Sequence, residues 1–200
     1  FTSLTVVCVN VSQAQTTQAD TVIVAERYFD SKSGKMIANP TVLIRNQRIV
    51  SVQSGGAIPT GAAKVIRLDG MTLLPGLIDM HTHIDSDPTY GGYNALQFTD
   101  RFWSVIAVPN ALKTLNAGFT TIRNVGSDAW NDVGLNQAIE AGQVPGPRIV
   151  PAGYAFGATG GHCDSTFFPP SMNQKSPYNA DSADAARKSV REIRKYGAQV

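Results

Sequence analysis

From Asp20 to Met71 the chain alternates short apolar, β-branched runs with turn residues. Residues 21–25, 41–45, 48–52 and 64–68 are rich in Val, Ile, Leu and Thr. Ser33-Gly34, Asn39-Pro40, Asn46-Gln47, Gly55-Gly56 and Asp69-Gly70 punctuate them. Runs of this kind bounded by Gly, Pro, Asn and Asp read as strands and turns. Residues 45–48 read as a hairpin loop. The pattern predicts a small antiparallel β domain of sandwich type over residues 20–74.

After Pro75 the period lengthens. A short strand to His83 leads into a polar loop, residues 85–94. Residues 98–117 have a helical pattern, which Pro109 should break near Val108 and Gly118 should close. A second strand over 119–123 precedes a helix over 131–141, ended by Gly142 with Pro145 beyond it. A third strand covers 148–152, and a long loop covers 157–179. In the last helix, 182–196, Asp181 is placed to cap the N-terminus. Ala183, Ala186, Val190 and Ile193 form an apolar stripe at spacings of three and four. Alternating strands and helices predict parallel βα units with right-handed crossovers. A complete (β/α)₈ barrel takes about 250 residues. Residues 75–200 therefore read as an α/β region, the N-terminal part of such a barrel, of three and a half units.

Composition adds exclusions. Of 200 residues, 42% are hydrophobic and 16% charged, with a formal net charge of +2, so nothing marks the chain for nucleic acid or an acidic membrane surface. No apolar run reaches the roughly 20 residues of a membrane helix. Arg187, Lys188, Arg191, Arg194 and Lys195 are interleaved with Glu192 and read as a solvated helix face. Residues 1–11 are mostly apolar and uncharged, and Ser12 and Ala14 are small residues at cleavage-site spacing. Residues 1–14 thus read as the remnant of a secretory signal peptide; a first strand of the domain is the alternative. The signal reading implies export to a periplasm or beyond, its absence a cytoplasmic protein. Cys8 and Cys163 are the two cysteines, too few for a disulfide framework if Cys8 leaves with the signal.

The candidate chemistry lies in Pro75-Gly76-Leu77-Ile78-Asp79-Met80-His81-Thr82-His83. Alternate strand residues face the same way, so His81 and His83 share a face, about 7 Å apart along the backbone. Two neutral imidazoles so placed can meet at one divalent metal. Asp79 lies on the same face, one layer deeper. In apolar surroundings its carboxylate needs a partner or a nearby cation. After the third strand, residues 157–164 are glycine-rich and carry His162, which is aimed at the same end of the sheet; a loop residue with a local hydrogen bond is the alternative. Cys163 beside it shows no sign of thiol activation.

The 75–83 strand, residues 117–126, Gly146-Pro147-Arg148 and Thr159-Gly160-Gly161-His162 resemble the amidohydrolase superfamily of metal-dependent hydrolases. Within it they resemble the imidazolonepropionase-like and Xaa-Pro dipeptidase-like branch, which includes ochratoxin-hydrolysing relatives. The likeness extends over residues 21–200. It implies that His81 and His83 bind a divalent metal, commonly Zn²⁺, at a site of one or two ions. It also implies a substrate or oxyanion contact for His162 and a supporting place behind the ligands for Asp79. The reaction implied is hydrolysis of a carbon–nitrogen bond by metal-activated water. The substrate would be a small-molecule or dipeptide-like amide, including cyclic amides and Xaa-Pro bonds. Assembly into a homo-oligomer stays open. The chain departs from the family at Asn124, where Asp is common, and at Cys163, where Gly follows the histidine. A bridging lysine on strand four, histidines on strands five and six and an aspartate on strand eight would complete the site, and the natural product is expected to continue past Val200 to supply them. A truncated, catalytically inactive barrel fragment is the competing reading. A carbohydrate-binding β module is a weaker one, since residues 21–71 offer only Tyr28 and Phe29 for stacking.

Overall fold

The computed structural model describes residues 20–172 and 174–200. The signal-peptide reading and Cys8 lie outside them. The chain divides into two compact units at Pro75/Gly76.

The first unit has five strands: β1 (Thr21–Asp30), β2 (Lys35–Ala38), β3 (Pro40–Arg45), β4 (Arg48–Ser54) and β5 (Lys64–Leu73). They form one five-stranded sheet in which β1 pairs with β2, β3 and β5, and β4 adds to β3. The expected domain is antiparallel throughout, but β5 runs parallel to β1, with a register shift between Ala25 and Arg27. The length of β1 explains this. It continues to Asp30 because Tyr28 and Phe29 pair with Ile37 and Met36 of β2, a strand the sequence pattern misses. Two neighbours, β2 and β3, therefore share one edge of β1, leaving the opposite edge to β5. Val22, Ala25, Pro40 and Val42 are the buried apolar residues of this sheet.

The second unit alternates β6 (Leu77–Thr82), α1 (Asp100–Asn116), β7 (Phe119–Asn124), α2 (Asn131–Glu140), β8 (Arg148–Val150) and α3 (Ala183–Lys195). The strands are parallel in the order β6-β7-β8. The core joins one sheet face, Ile84, Ile122 and Ile149, to Ala107 and Ala111 of α1 and Leu135 of α2. Burial of a side chain such as Ile122 or Ile149 is worth about 1.5–3 kcal/mol. Ala107 and Ala111 are both fully buried, and their small side chains bring α1 close to the sheet. At the end of β6, Asn110 Nδ2 of α1 donates to the Ile84 carbonyl at 3.1 Å, which helps set the direction in which the strand ends.

Three local expectations change. Helix α1 runs unbroken through Pro109. Pro109 and Val105, the residue four positions earlier, are both exposed, so the carbonyl that loses its amide partner meets water. The cap of α3 is Ser182, whose hydroxyl accepts from the Ala185 N–H at 3.2 Å. Asp181 is engaged instead by the amide and hydroxyl of Thr159, at 2.8 and 2.7 Å. The buried face of α3 centres on Ser189 and Ile193, leaving Val190 half exposed. Its arginines and lysines are exposed as expected. No helix among the described residues is long and apolar enough to cross a membrane.

Candidate metal centre

Two close approaches set the strand that carries the candidate ligands. Gly76 begins it against Thr120; a Cβ at Gly76 would lie 2.0 Å from Thr120 Oγ1, so only glycine fits. Leu77 N–H then donates to the Gly118 carbonyl at 2.9 Å, and Val125 N–H to Thr82 O at 3.0 Å, fastening β6 beside β7 at both ends. Ile84 enters the core. His83, its neighbour, is exposed and borders a cleft shared with Asn110, Lys113 and Thr114 of α1.

His81 and His83 lie side by side, with ring centroids 5.5 Å apart and planes at 70°. Both residues are exposed. His83 Nδ1 lies 3.2 Å from the Gly126 carbonyl. A carbonyl oxygen only accepts, so Nδ1 carries the proton and the Nε2 lone pair is free. Metal-ligating histidines commonly donate the other ring N–H to a carbonyl or carboxylate in this way. Asp79, half buried, turns its carboxylate toward the backbone, where Oδ1 accepts the His81 N–H at 3.0 Å. It thereby fixes the chain at the first histidine. Two imidazoles with a free nitrogen between them suit a borderline-soft divalent metal. Among the described residues, no group of three or more His, Cys, Asp or Glu side chains converges as a metal cluster.

A buried polar network lies behind His83, and the sequence pattern does not reveal it. Asn124 and Asp132 are fully buried. Asn124 Nδ2 donates to the Gly126 carbonyl and to Asp132 Oδ2, both at 3.1 Å. Its Oδ1 accepts the Ile84 N–H at 2.8 Å. Asp132 Oδ2 also accepts the amides of Ala152 and Gly153, at 3.0 and 3.1 Å, tying α2 to the end of β8. Alongside, Asp85 Oδ2 accepts from Ser127 Oγ at 2.6 Å and Asn131 Nδ2 at 3.1 Å. Burial pushes the Asp85 carboxyl above its ordinary range, and the two donors oppose that shift. The available signal was a cluster of short polar residues at a strand end and a helix start, Asn124, Ser127, Asn131 and Asp132, where partners are close at hand.

His162 is exposed on the glycine-rich loop. Asp164 accepts the amides of Gly160, Ser165 and Ser176, at 2.9, 2.9 and 3.2 Å; the Gly160 bond foremost, with the Asn179 side chain and the other amides, holds its carboxyl down at about 2. Ala180 N–H closes the loop on Gly157 O at 2.8 Å. Tyr93, in the loop after β6, donates its hydroxyl to the Phe167 carbonyl at 3.0 Å and sets its ring 5.7 Å from that of Phe168. The loop of His162 is thus joined to the loop that follows His83. Cys163 lines a largely apolar cavity of about 400 Å³ with Val125, Tyr154 and Ile193, with no base beside it in that wall.

The model of the amidohydrolase family matches residues 72–200. The dihydroorotase of Elusimicrobium minutum (strain Pei191) is 32% identical over 103 residues, 49% of this chain and 21% of that protein. A solved Xaa-Pro dipeptidase with methionine bound in its active site aligns with a TM-score of 0.80 at 28% identity, over 90% of this chain and 45% of that one. The ochratoxinase of A. niger shares the fold, with a TM-score of 0.74 at 23% identity over 90% of this chain and 45% of that one. The chain thus spans less than half the length of these relatives. A strand that ends in two neighbouring histidines, parallel βα units that place it and a family match over most of the chain lead to one conclusion: this chain belongs to the amidohydrolase family.

Proposed function

We propose that the chain is the N-terminal part of a metal-dependent hydrolase of carbon–nitrogen bonds, with β6, β7 and β8 as the first strands of a (β/α)₈ barrel. Ligands of such barrels gather at the C-terminal ends of the strands, where His81 and His83 sit. The observation that carries the reading is the paired imidazoles, with His83 Nδ1 committed to the Gly126 carbonyl and Nε2 left free.

His81 and His83 would hold a divalent ion, zinc by the family resemblance and compatible with imidazole nitrogen, in a site of one or two ions. A bound zinc supplies a lowered water pKa and polarisation of the substrate carbonyl. Asp79 holds the His81 backbone, and His162 contacts the substrate or the oxygen that gains charge. Water adds its oxygen to the carbonyl carbon, the carbon–nitrogen bond breaks, and the leaving nitrogen takes the proton. The substrate class is an amide of small-molecule or dipeptide-like size, including Xaa-Pro and cyclic amides; the names of the relatives, a dihydroorotase and a Xaa-Pro dipeptidase, support that range. A catalytic zinc usually has three or more protein ligands, so we expect the 200 residues alone to be inactive.

The test uses the protein expressed from its whole reading frame. His81→Ala and His83→Ala should each lower zinc content, measured by mass spectrometry, and abolish hydrolysis across a panel of Xaa-Pro dipeptides and cyclic amides. Full zinc stoichiometry and full activity in both variants would remove the metal assignment.

A further inference from the structure

We propose that Asn124 is a positioning residue that sets the Nδ1–H tautomer and ring orientation of His83, so that Nε2 is the nitrogen offered to the metal; its metal consequence rests on the reading above. The side chain is fully buried and reaches both sides of the histidine. Oδ1 accepts the N–H of Ile84, the next residue, at 2.8 Å. It also lies 3.3 Å from the hydroxyl of Thr82, the preceding one. Nδ2 donates to the Gly126 carbonyl at 3.1 Å, the same oxygen that His83 Nδ1 meets at 3.2 Å. A carbonyl oxygen has two lone pairs. Asn124 fills one of them, fixing the Gly126 peptide so that the other is presented to the imidazole.

The amide is chemically required there. Nδ2 faces two acceptors, the Gly126 carbonyl and Asp132 Oδ2, while the Ile84 N–H can only donate. An ionised carboxylate at 124 would set an acceptor against both acceptors, and a second negative charge about 3 Å from Asp132 in a buried site is costly. The position thus needs a side chain with one acceptor and two donors, which describes asparagine. The close packing at Gly126 passes this placement on, since a Cβ there would lie 3.7 Å from His83 Cε1 and 3.2 Å from the Ala155 Cβ.

The experiment compares wild type, Asn124→Ala, the isosteric Asn124→Asp and Asp132→Asn, each expressed from the whole reading frame. Ring ¹⁵N shifts of His83 are read in the metal-free protein at a pH where imidazole is neutral, and zinc affinity is read by chelator competition. Wild type should show the Nδ1–H tautomer alone. Both Asn124 variants should show a tautomer mixture and bind zinc about 10- to 100-fold more weakly. Asp132→Asn breaks the same buried cluster but leaves the Asn124 donation to Gly126 intact, so it should lower the melting temperature while keeping the single tautomer. If Asn124→Ala does not fold, Asn124→Asp decides. An unchanged tautomer in the Asn124 variants, or an equal shift in Asp132→Asn, would overturn the proposal. If His83→Ala leaves zinc affinity unchanged, the metal reading fails, and the tautomer comparison still decides the role of Asn124.

Discussion

Gly76 and Thr120 meet so closely that a single added carbon on Gly76 would lie within 2.0 to 2.7 Å of three Thr120 side-chain atoms. The contact fastens the start of the strand that ends in His81 and His83. Gly76→Ala should therefore push β6 from β7 and cost about 1–3 kcal/mol, the usual range for overpacking a tight contact. Thr120→Ala removes two of the three clashing atoms and should restore part of the loss. Urea unfolding of both single variants and the double variant measures the coupling. Additive single effects would mean that the two residues do not press on one another.

Pro109 sits in the middle of α1 with its face to solvent. It withholds one helix hydrogen bond, and a helix-interior proline costs about 3 kcal/mol relative to alanine. Pro109→Ala should raise stability by about 1–3 kcal/mol. Thermal unfolding checks the gain. A loss would show that proline is serving a packing role on that face.

Asp164 gives a pH signature to the loop of His162. The Gly160 amide foremost, then the Asn179 side chain and the amides of Ser176 and Ser165, hold the folded pKa of its carboxyl at about 2, against an ordinary value near 3.9. A depressed carboxyl stabilises the fold above the unfolded value and loses that contribution as pH falls through the folded one. The loop should therefore keep its form down to about pH 4 and release between about pH 4 and 2. Amide shifts of Gly160 and Ser165, followed by NMR, should titrate with a midpoint of about 2. A midpoint at the ordinary value would mean that the three amides are not held by the carboxylate. Asp164→Asn should show the released shifts at neutral pH.

The sequence alone was enough to place the histidine pair and the alternation around it. A period of two puts His81 and His83 on one face, and Pro75-Gly76 before an apolar run marks where the strand begins. These are local properties, set within one element by backbone geometry. The same holds for the helix ends at Gly118 and Gly142, whose positive φ angles, 94° and 70°, are conformations that glycine adopts without a Cβ penalty.

Tertiary structure decided what depends on partners distant in the chain. Asp79 could have met a cation; the fold turns it to the His81 N–H. Asp181 could have capped α3, but Thr159, 22 positions earlier, takes its carboxylate and leaves the cap to Ser182. Pro109 breaks a helix on paper, and α1 continues because its freed carbonyl is turned to water. The parallel pairing of β5 with β1 follows from which edge of β1 the earlier strands leave free. The network behind His83 is of the same kind. Asn124 is one polar residue at a strand end until folding brings Ile84, from 40 positions away, onto its oxygen and Asp132 onto its amide. Hydrogen bonds between distant residues have no period along the chain, so only the folded arrangement selects among the partners that composition allows.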